Sequence, residues 1–241
     1  MVSKSQIKLI RSLQQKKFRE KTGLFVAEGP KIIADLIESG IEIHSLFSTE
    51  ISTQKENLYS ITPDELQKIS YLKTANTSLA LFRIPSFSSG QEMGLIIALD
   101  AIRDPGNLGT IIRLCDWFGV EQLICSQDTV DCFNPKVIQA TMGSIARVQV
   151  IYEDLVGYIK KCPLPVYGAC MDGASIYSKT LPKDALVIMG NEANGISEEI
   201  MNLIQEKITI PQFGEQLEAE SLNVATATSI ILSEFKRTTG R

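Results

Sequence analysis

The apolar positions follow one pattern before about residue 85 and another after about residue 95. Near the start, Ile7, Ile10 and Leu13 recur three apart, the spacing of one helix face, with basic residues between them. Leu24-Phe25-Val26-Ala27 is an apolar run of strand length. Gly29-Pro30 then opens a predicted helix that turns Ile32, Ile33, Leu36 and Ile37 inward, and Gly40 suits its end. Ile43 to Phe47 predicts a strand, and Ser78 to Ile84 another. Between them Thr62-Pro63-Asp64-Glu65 predicts a helix start, with Thr62 at the cap and Pro63 in the first turn. The whole is a small α/β unit over residues 1–85.

A Pro/Ser/Gly stretch, Pro85-Ser86-Phe87-Ser88-Ser89-Gly90, marks a linker over 86–93. From 94 to 241 the pattern becomes strand then helix, repeated. Strands are predicted at 95–100, 121–126, 147–151, 165–170, 185–189 and 207–210. Helices are predicted near 107–118, 134–141, 153–161, 197–205 and 221–237. Such alternation predicts an α/β fold with a mostly parallel sheet and helices on both faces. Folds of this kind bind ligands beyond the C-terminal ends of their strands.

Three segments follow strands and carry polar and glycine-rich sequence. In residues 99–120 a turn leads into a helix with Asn107 near its start and Arg113 six residues on. Asn107 fits a cap, and six residues is not quite two turns, so the two side chains are offset around the axis. In residues 186–197 four apolar residues lead to Gly190, Asn191 and Glu192, with Gly195 beyond. The two glycines permit unusual backbone angles and close ligand approach. In residues 208–232, Ile210-Pro211 ends a strand, and Ser221-Leu222-Asn223 opens a long helix lined with small residues. Ser221 or Asn223 fits its cap.

Composition narrows the class. No apolar run approaches the roughly 20 residues of a membrane span, and the N-terminus lacks a signal-peptide core. A cytoplasmic location is therefore expected. The five cysteines are scattered without a CxxC pair, and His44 is the single histidine, so no metal site is expected. The net charge of −4 conceals a basic arm of Lys4, Lys8, Arg11, Lys16, Lys17, Arg19 and Lys21 against one acid, Glu20. A locally basic stretch on an acidic protein serves either as a solvated helix face or as a phosphate-binding surface.

Taken together, the three segments resemble the ordered motifs of the SpoU (TrmH-type) RNA ribose methyltransferases, of the SPOUT superfamily. Asp104-Pro105-Gly106-Asn107-Leu108-Gly109 with Arg113 looks like the first motif, and Gly190-Asn191-Glu192 with Gly195 like the second. Ile210-Pro211 followed by Ser221-Leu222-Asn223-Val224 looks like the third. The resemblance covers roughly residues 94–238. The N-terminal unit is similar to the family's ribosomal-protein-L30e-like substrate-binding domain, through Phe18-Arg19 and the run Gly23 to Gly29. There are departures. The loop between Gly214 and Ser221 is acidic and long, and Gln212 stands where many members have methionine. The Gly143-Ser144 pair resembles a small-residue turn of the family, although the residues before it differ.

The resemblance implies a trefoil-knotted C-terminal domain, a homodimer, S-adenosyl-L-methionine as cofactor and RNA as substrate, ribosomal RNA before transfer RNA. It implies Arg113 at the ribose 2′-hydroxyl, with Asn107, Glu192, Ser221 and Asn223 completing the catalytic set. It also implies main-chain recognition of the cofactor near Gly190, Ile210 and Leu222, and RNA contacts from Lys16, Lys17, Arg19 and Glu28. Arginine hardly ever gives up its proton, so Arg113 fits a cation that stabilises a developing alkoxide or holds the adjacent phosphate. His44 stands apart on an ordinary apolar stretch and fits a structural role. A base methyltransferase of the same superfamily and a non-catalytic RNA-binding protein are the alternatives. A nicotinamide dehydrogenase lacks its glycine fingerprint here.

Overall fold

A computed structural model describes residues 2–50, 57–86, 93–213 and 221–238. The linker expected at 86–93 falls almost wholly outside the described residues, as do Glu215, Glu218 and Glu220 of the acidic loop. The first part of the chain carries α1 (Lys4–Ser12), α2 (Lys16–Thr22), β1 (Leu24–Glu28), α3 (Pro30–Glu38), β2 (Ile43–Ser48), β3 (Leu58–Ser60), α4 (Pro63–Ile69) and β4 (Ser78–Arg83). Then follow β5 (Leu95–Leu99), α5 (Pro105–Trp117), β6 (Gln122–Cys125), α6 (Pro135–Thr141), β7 (Gln149–Tyr152) and α7 (Leu155–Lys161). The last part carries β8 (Val166–Ser175), β9 (Ala185–Met189), α8 (Glu198–Met201), β10 (Glu206–Thr209) and α9 (Val224–Thr238).

Packing divides the chain into two units. One is Met1–Ser86 with Asp131–Arg147, and the other is Phe87–Val130 with Val148–Arg241. The segment holding α6, expected within 94–241, therefore packs with the first unit. Two contacts account for it: the ring of Phe133 lies 4.9 Å from that of Phe25, and α6 packs on β1.

The first unit has a four-stranded sheet in the order β1-β4-β2-β3, antiparallel except for the β2–β3 pair. Ser3 and Thr62 each close a capping box with a residue three further on, Gln6 and Glu65, which fixes the starts of α1 and α4. Ile10, Leu13, Val26, Phe47, Leu66, Leu79 and Leu81 form the core. Helix α3 buries Ile32, Ile33 and Leu36, but Ile37 is 44% exposed. One further step of about 100° past Leu36 carries it off the inward face.

The second unit has a six-stranded parallel sheet in the order β10-β8-β9-β5-β6-β7. Every residue of β5 and β9 is buried, as continuous apolar runs at the centre of a covered sheet require. Ile96, Ala98, Leu186 and Ile188 pack with Leu155 and Ile159 of α7 and Ile200 of α8. Helix α9 sets Phe235 edge-on against Tyr167 of β8, with ring centroids 5.5 Å apart, and packs against α5. Because β5 and β9 are parallel neighbours with Leu99 opposite Met189, the segments that follow them leave the sheet at one edge.

Among the described residues none of the five cysteines forms a disulfide, and burial pushes the Cys115 thiol up to about 12. No helix among the described residues is long and apolar enough to cross a membrane.

Candidate functional site

The site is built where β5 and β9 end. Asp100, the first residue after β5, is buried and accepts the Ser197 amide at 2.7 Å. Ala101 adopts the left-handed region at φ +55°, which strains a residue bearing a Cβ. Two bonds hold it there: its amide donates to Ser126 Oγ at 2.9 Å, and its carbonyl accepts Asn191 Nδ2 at 2.6 Å. Asn191 Oδ1 also accepts the amide of Ala193 at 2.9 Å, so one side chain ties the loop after β9 to the loop after β5. Helix α5 is then started by Asp104, whose carboxylate accepts the Asn107 amide at 2.8 Å, with Pro105 next. Asp104 is the cap, not Asn107. This frees the Asn107 side chain for the site.

That side chain joins all three post-strand segments. Asn107 Oδ1 accepts Asn223 Nδ2 at 2.9 Å, and Asn107 Nδ2 donates to Glu192 Oε1. Asn223 meanwhile caps α9, its Oδ1 accepting the amides of Ala225 at 3.0 Å and Thr226 at 3.2 Å. Arg113 is exposed on α5 and has no hydrogen-bond or ion-pair partner among the described residues.

Gly190 and Gly195 are glycines for different reasons. Gly195 has φ +67° with open space around it. At Gly190 a Cβ would lie 2.3 Å from the Gly195 carbonyl carbon and 2.4 Å from the Ile196 amide nitrogen. The paired backbone bonds between Asn191 and Gly195, at 2.9 and 2.8 Å, leave no room for one.

Beside this constellation lies a cavity of about 510 Å³. Gly190, Glu192 and Ile196 line it from the second segment, and Ile208, Ile210, Ser221, Leu222 and Val224 from the third. Gly190, Ile210 and Leu222, expected near a cofactor, share this one cavity with Ser221. Asn107, Arg113 and Asn223 are not among its walls.

The SpoU rRNA Methylase family matches residues 94–233, more than half of the chain. The chain belongs to this family. An MRM3-like substrate binding domain matches residues 4–80. The chain is similar, at 28% identity over 94% of each sequence, to the 23S rRNA (guanosine(2553)-2'-O)-methyltransferase RlmP of Bacillus subtilis. It is 36% identical to a solved TrmH-family protein from Porphyromonas gingivalis, covering 98% of this chain and 99% of that one with a TM-score of 0.88. An AdoMet-bound rRNA methyltransferase from Sinorhizobium meliloti is 29% identical over 98% of this chain and 97% of its own, with a TM-score of 0.87.

In this SpoU family chain the clamp formed by Asp100, Ala101 and Asn191 was not legible from sequence. The one pointer was a buried strand running directly into an aspartate. The expected RNA-binding residues divide in two. Lys16 and Lys17 are exposed, Lys16 pairing with Glu20 at 3.8 Å and Lys17 standing 4.9 Å above the Phe18 ring. Arg19 is only 2% exposed. It donates to Asp131 at 2.8 Å and to the carbonyls of Leu13 at 2.7 Å and Gln14 at 3.0 Å. Its guanidinium is turned inward onto these three acceptors and is nearly closed to solvent, unlike the two exposed lysines. Glu28 is 4% exposed and accepts the Ser70 hydroxyl and the Tyr71 amide. Burial pushes its carboxyl above the usual range, against the lowering pull of those two bonds.

Proposed function

We propose that this protein transfers a methyl group from S-adenosyl-L-methionine to a ribose 2′-hydroxyl of ribosomal RNA. The observation that carries the reading is the Asn223–Asn107–Glu192 chain beside the 510 Å³ cavity. The cavity's chemistry suits the cofactor. Apolar side chains of Ile196, Ile208, Leu222 and Val224 fit an adenine face, and the missing Cβ of Gly190 brings backbone close to any occupant. Bound there, the cofactor supplies an electrophilic sulfonium methyl.

The chain's own residues then have positioning work, which is where such a transfer gains most of its rate. Asn107, fixed at both ends of its amide, holds Glu192 and Asn223 at one distance from each other. Arg113, a permanent cation, stabilises negative charge at the ribose O2′ or grips the adjacent phosphate, and the O2′ proton leaves to water or phosphate. Exposed Lys16 and Lys17 add an RNA-facing charge on the first unit.

The finer parts of this reading follow the family. The second unit forms the trefoil knot, and two copies associate. Trp117, 83% exposed at the end of α5, is apolar surface that a second copy would cover. The likeness to the bacterial RlmP favours the cytoplasm as the working compartment.

The test is transfer of labelled methyl from S-adenosyl-L-methionine to 23S rRNA and to bulk tRNA lacking their modifications. Transfer to the ribosomal RNA alone is expected. Arg113→Lys should lose about 100- to 1,000-fold in rate, the usual cost of removing one charge-stabilising donor. Equal transfer to tRNA would overturn the substrate preference, and an unimpaired Arg113→Lys the role of the arginine.

A further inference from the structure

A second cavity, of about 460 Å³, belongs wholly to the first unit. That volume lies in the range of about 300–1,000 Å³ usual for small-molecule sites. Val26, Leu72 and Pro135 give it apolar walls, and Glu28 and Tyr71 line it with polar atoms already in use. Three other polar side chains line it. Lys73 and Lys136 are exposed and have no ion-pair partner among the described residues. The Gln139 amide has no hydrogen-bond partner among them.

This set describes its ligand. Apolar walls accept a flat ring, and an unengaged amide offers one donor and one acceptor edge to it. Lys73 and Lys136, two cations without an ion-pair partner among the described residues, call for an anion attached to that ring. We propose that this cavity takes one unpaired nucleotide of the RNA substrate, its base inside against Gln139 and its phosphate on Lys73 and Lys136. The inference rests on the methyltransferase reading above. It is the manner in which proteins read RNA, through bases splayed out of single-stranded loops. Glu28 also lines the cavity, with its two oxygens already turned to the Ser70 hydroxyl and the Tyr71 amide. Two of the three groups, Lys136 and Gln139, lie on α6, which sequence alone placed in the other unit.

The experiment measures binding of the full-length protein to a 23S rRNA transcript across a salt series. In the Lys73→Gln/Lys136→Gln double variant, log K against log salt should flatten by about 0.7 to 1.4, for one or two lost phosphate contacts at roughly 0.7 each. Ala140→Leu, which adds bulk to the cavity wall without changing charge, should weaken binding about tenfold and leave the slope alone. Thermal melting checks that each variant is folded, and the double lysine variant, altered only at exposed positions, serves if the leucine is not tolerated. Unchanged affinity and slope in folded variants overturn the proposal. So does calorimetric binding of adenosine monophosphate with RNA affinity insensitive to both variants, which assigns the cavity to a free nucleotide. If the unaltered protein binds S-adenosyl-L-methionine and RNA while the variants behave like it, only this pocket falls. If it binds neither, the methyltransferase reading falls too.

Discussion

Replacing Gly190 by alanine probes the backbone on which the larger cavity depends. The added Cβ would sit 2.3, 2.4 and 2.6 Å from three backbone atoms of Gly195 and Ile196, none of which can rotate away. Relief requires moving the turn that the two Asn191–Gly195 bonds close. Overpacking of this kind costs about 1–3 kcal/mol. The two bonds are worth about 0.5–1.5 kcal/mol each, so the total reaches about 2–6 kcal/mol. At about 2–4 °C per kcal/mol for a domain of this size, the melting temperature should fall by at least about 4 °C. The displaced turn also carries Glu192 and the cavity wall, so calorimetric affinity for S-adenosyl-L-methionine should drop by at least about tenfold, equivalent to roughly 1.4 kcal/mol. Gly195→Ala is the internal control. It meets no atom within 4 Å, and its cost is the left-handed backbone alone, about 1–2 kcal/mol. A Gly190→Ala protein with unaltered melting and cofactor affinity would refute the steric reasoning.

Arg19→Ala should destabilise the first unit by about 3–5 kcal/mol, because it strands the Asp131 carboxylate and two carbonyls; calorimetric unfolding reads the loss. Glu28→Gln carries a pH signature. Burial raises the folded-state pKa, so between the ordinary glutamate value and that raised value the folded protein holds a proton that the unfolded chain has released. Glu28 therefore costs the native protein stability as pH rises through that window. The melting temperature of Glu28→Gln relative to the unaltered protein should rise across it, and a gap independent of pH would contradict the assignment. Asn107→Ala removes both bonds of the central amide without touching the Asp104 cap. It should lower kcat far more than it changes the melting temperature, and a change confined to stability would make Asn107 merely structural.

The sheet of the second unit was legible because its strands are either fully buried apolar runs or short alternations bounded by turn residues, and its helices are amphipathic. Missed elements had no such pattern. Helix α2 fully buries only Arg19, a charged residue, and β3 is three residues long. The grouping of α6 with the first unit escaped because its contacts, Phe133 on Phe25 and Arg19 on Asp131, join residues about a hundred positions apart. Periodicity is local and does not report them. At the site, ordered motifs pointed to Asn107, Glu192 and Asn223, but only coordinates show that one amide connects them. The same limit explains Arg19 and Glu28. Arg19 lies in a basic stretch and reads as surface until its partner Asp131, 112 positions on, is known, and the partners of Glu28, Ser70 and Tyr71, lie 42 and 43 positions on.

The most direct measurement is the chemical position of the transferred methyl. Ribosomal RNA labelled by the protein and S-adenosyl-L-methionine is hydrolysed in alkali and the products resolved by mass spectrometry. The account predicts one labelled dinucleotide that resists cleavage because its ribose O2′ is methylated. Label recovered on a base in fully cleaved mononucleotides, or no label in the RNA at all, would contradict it.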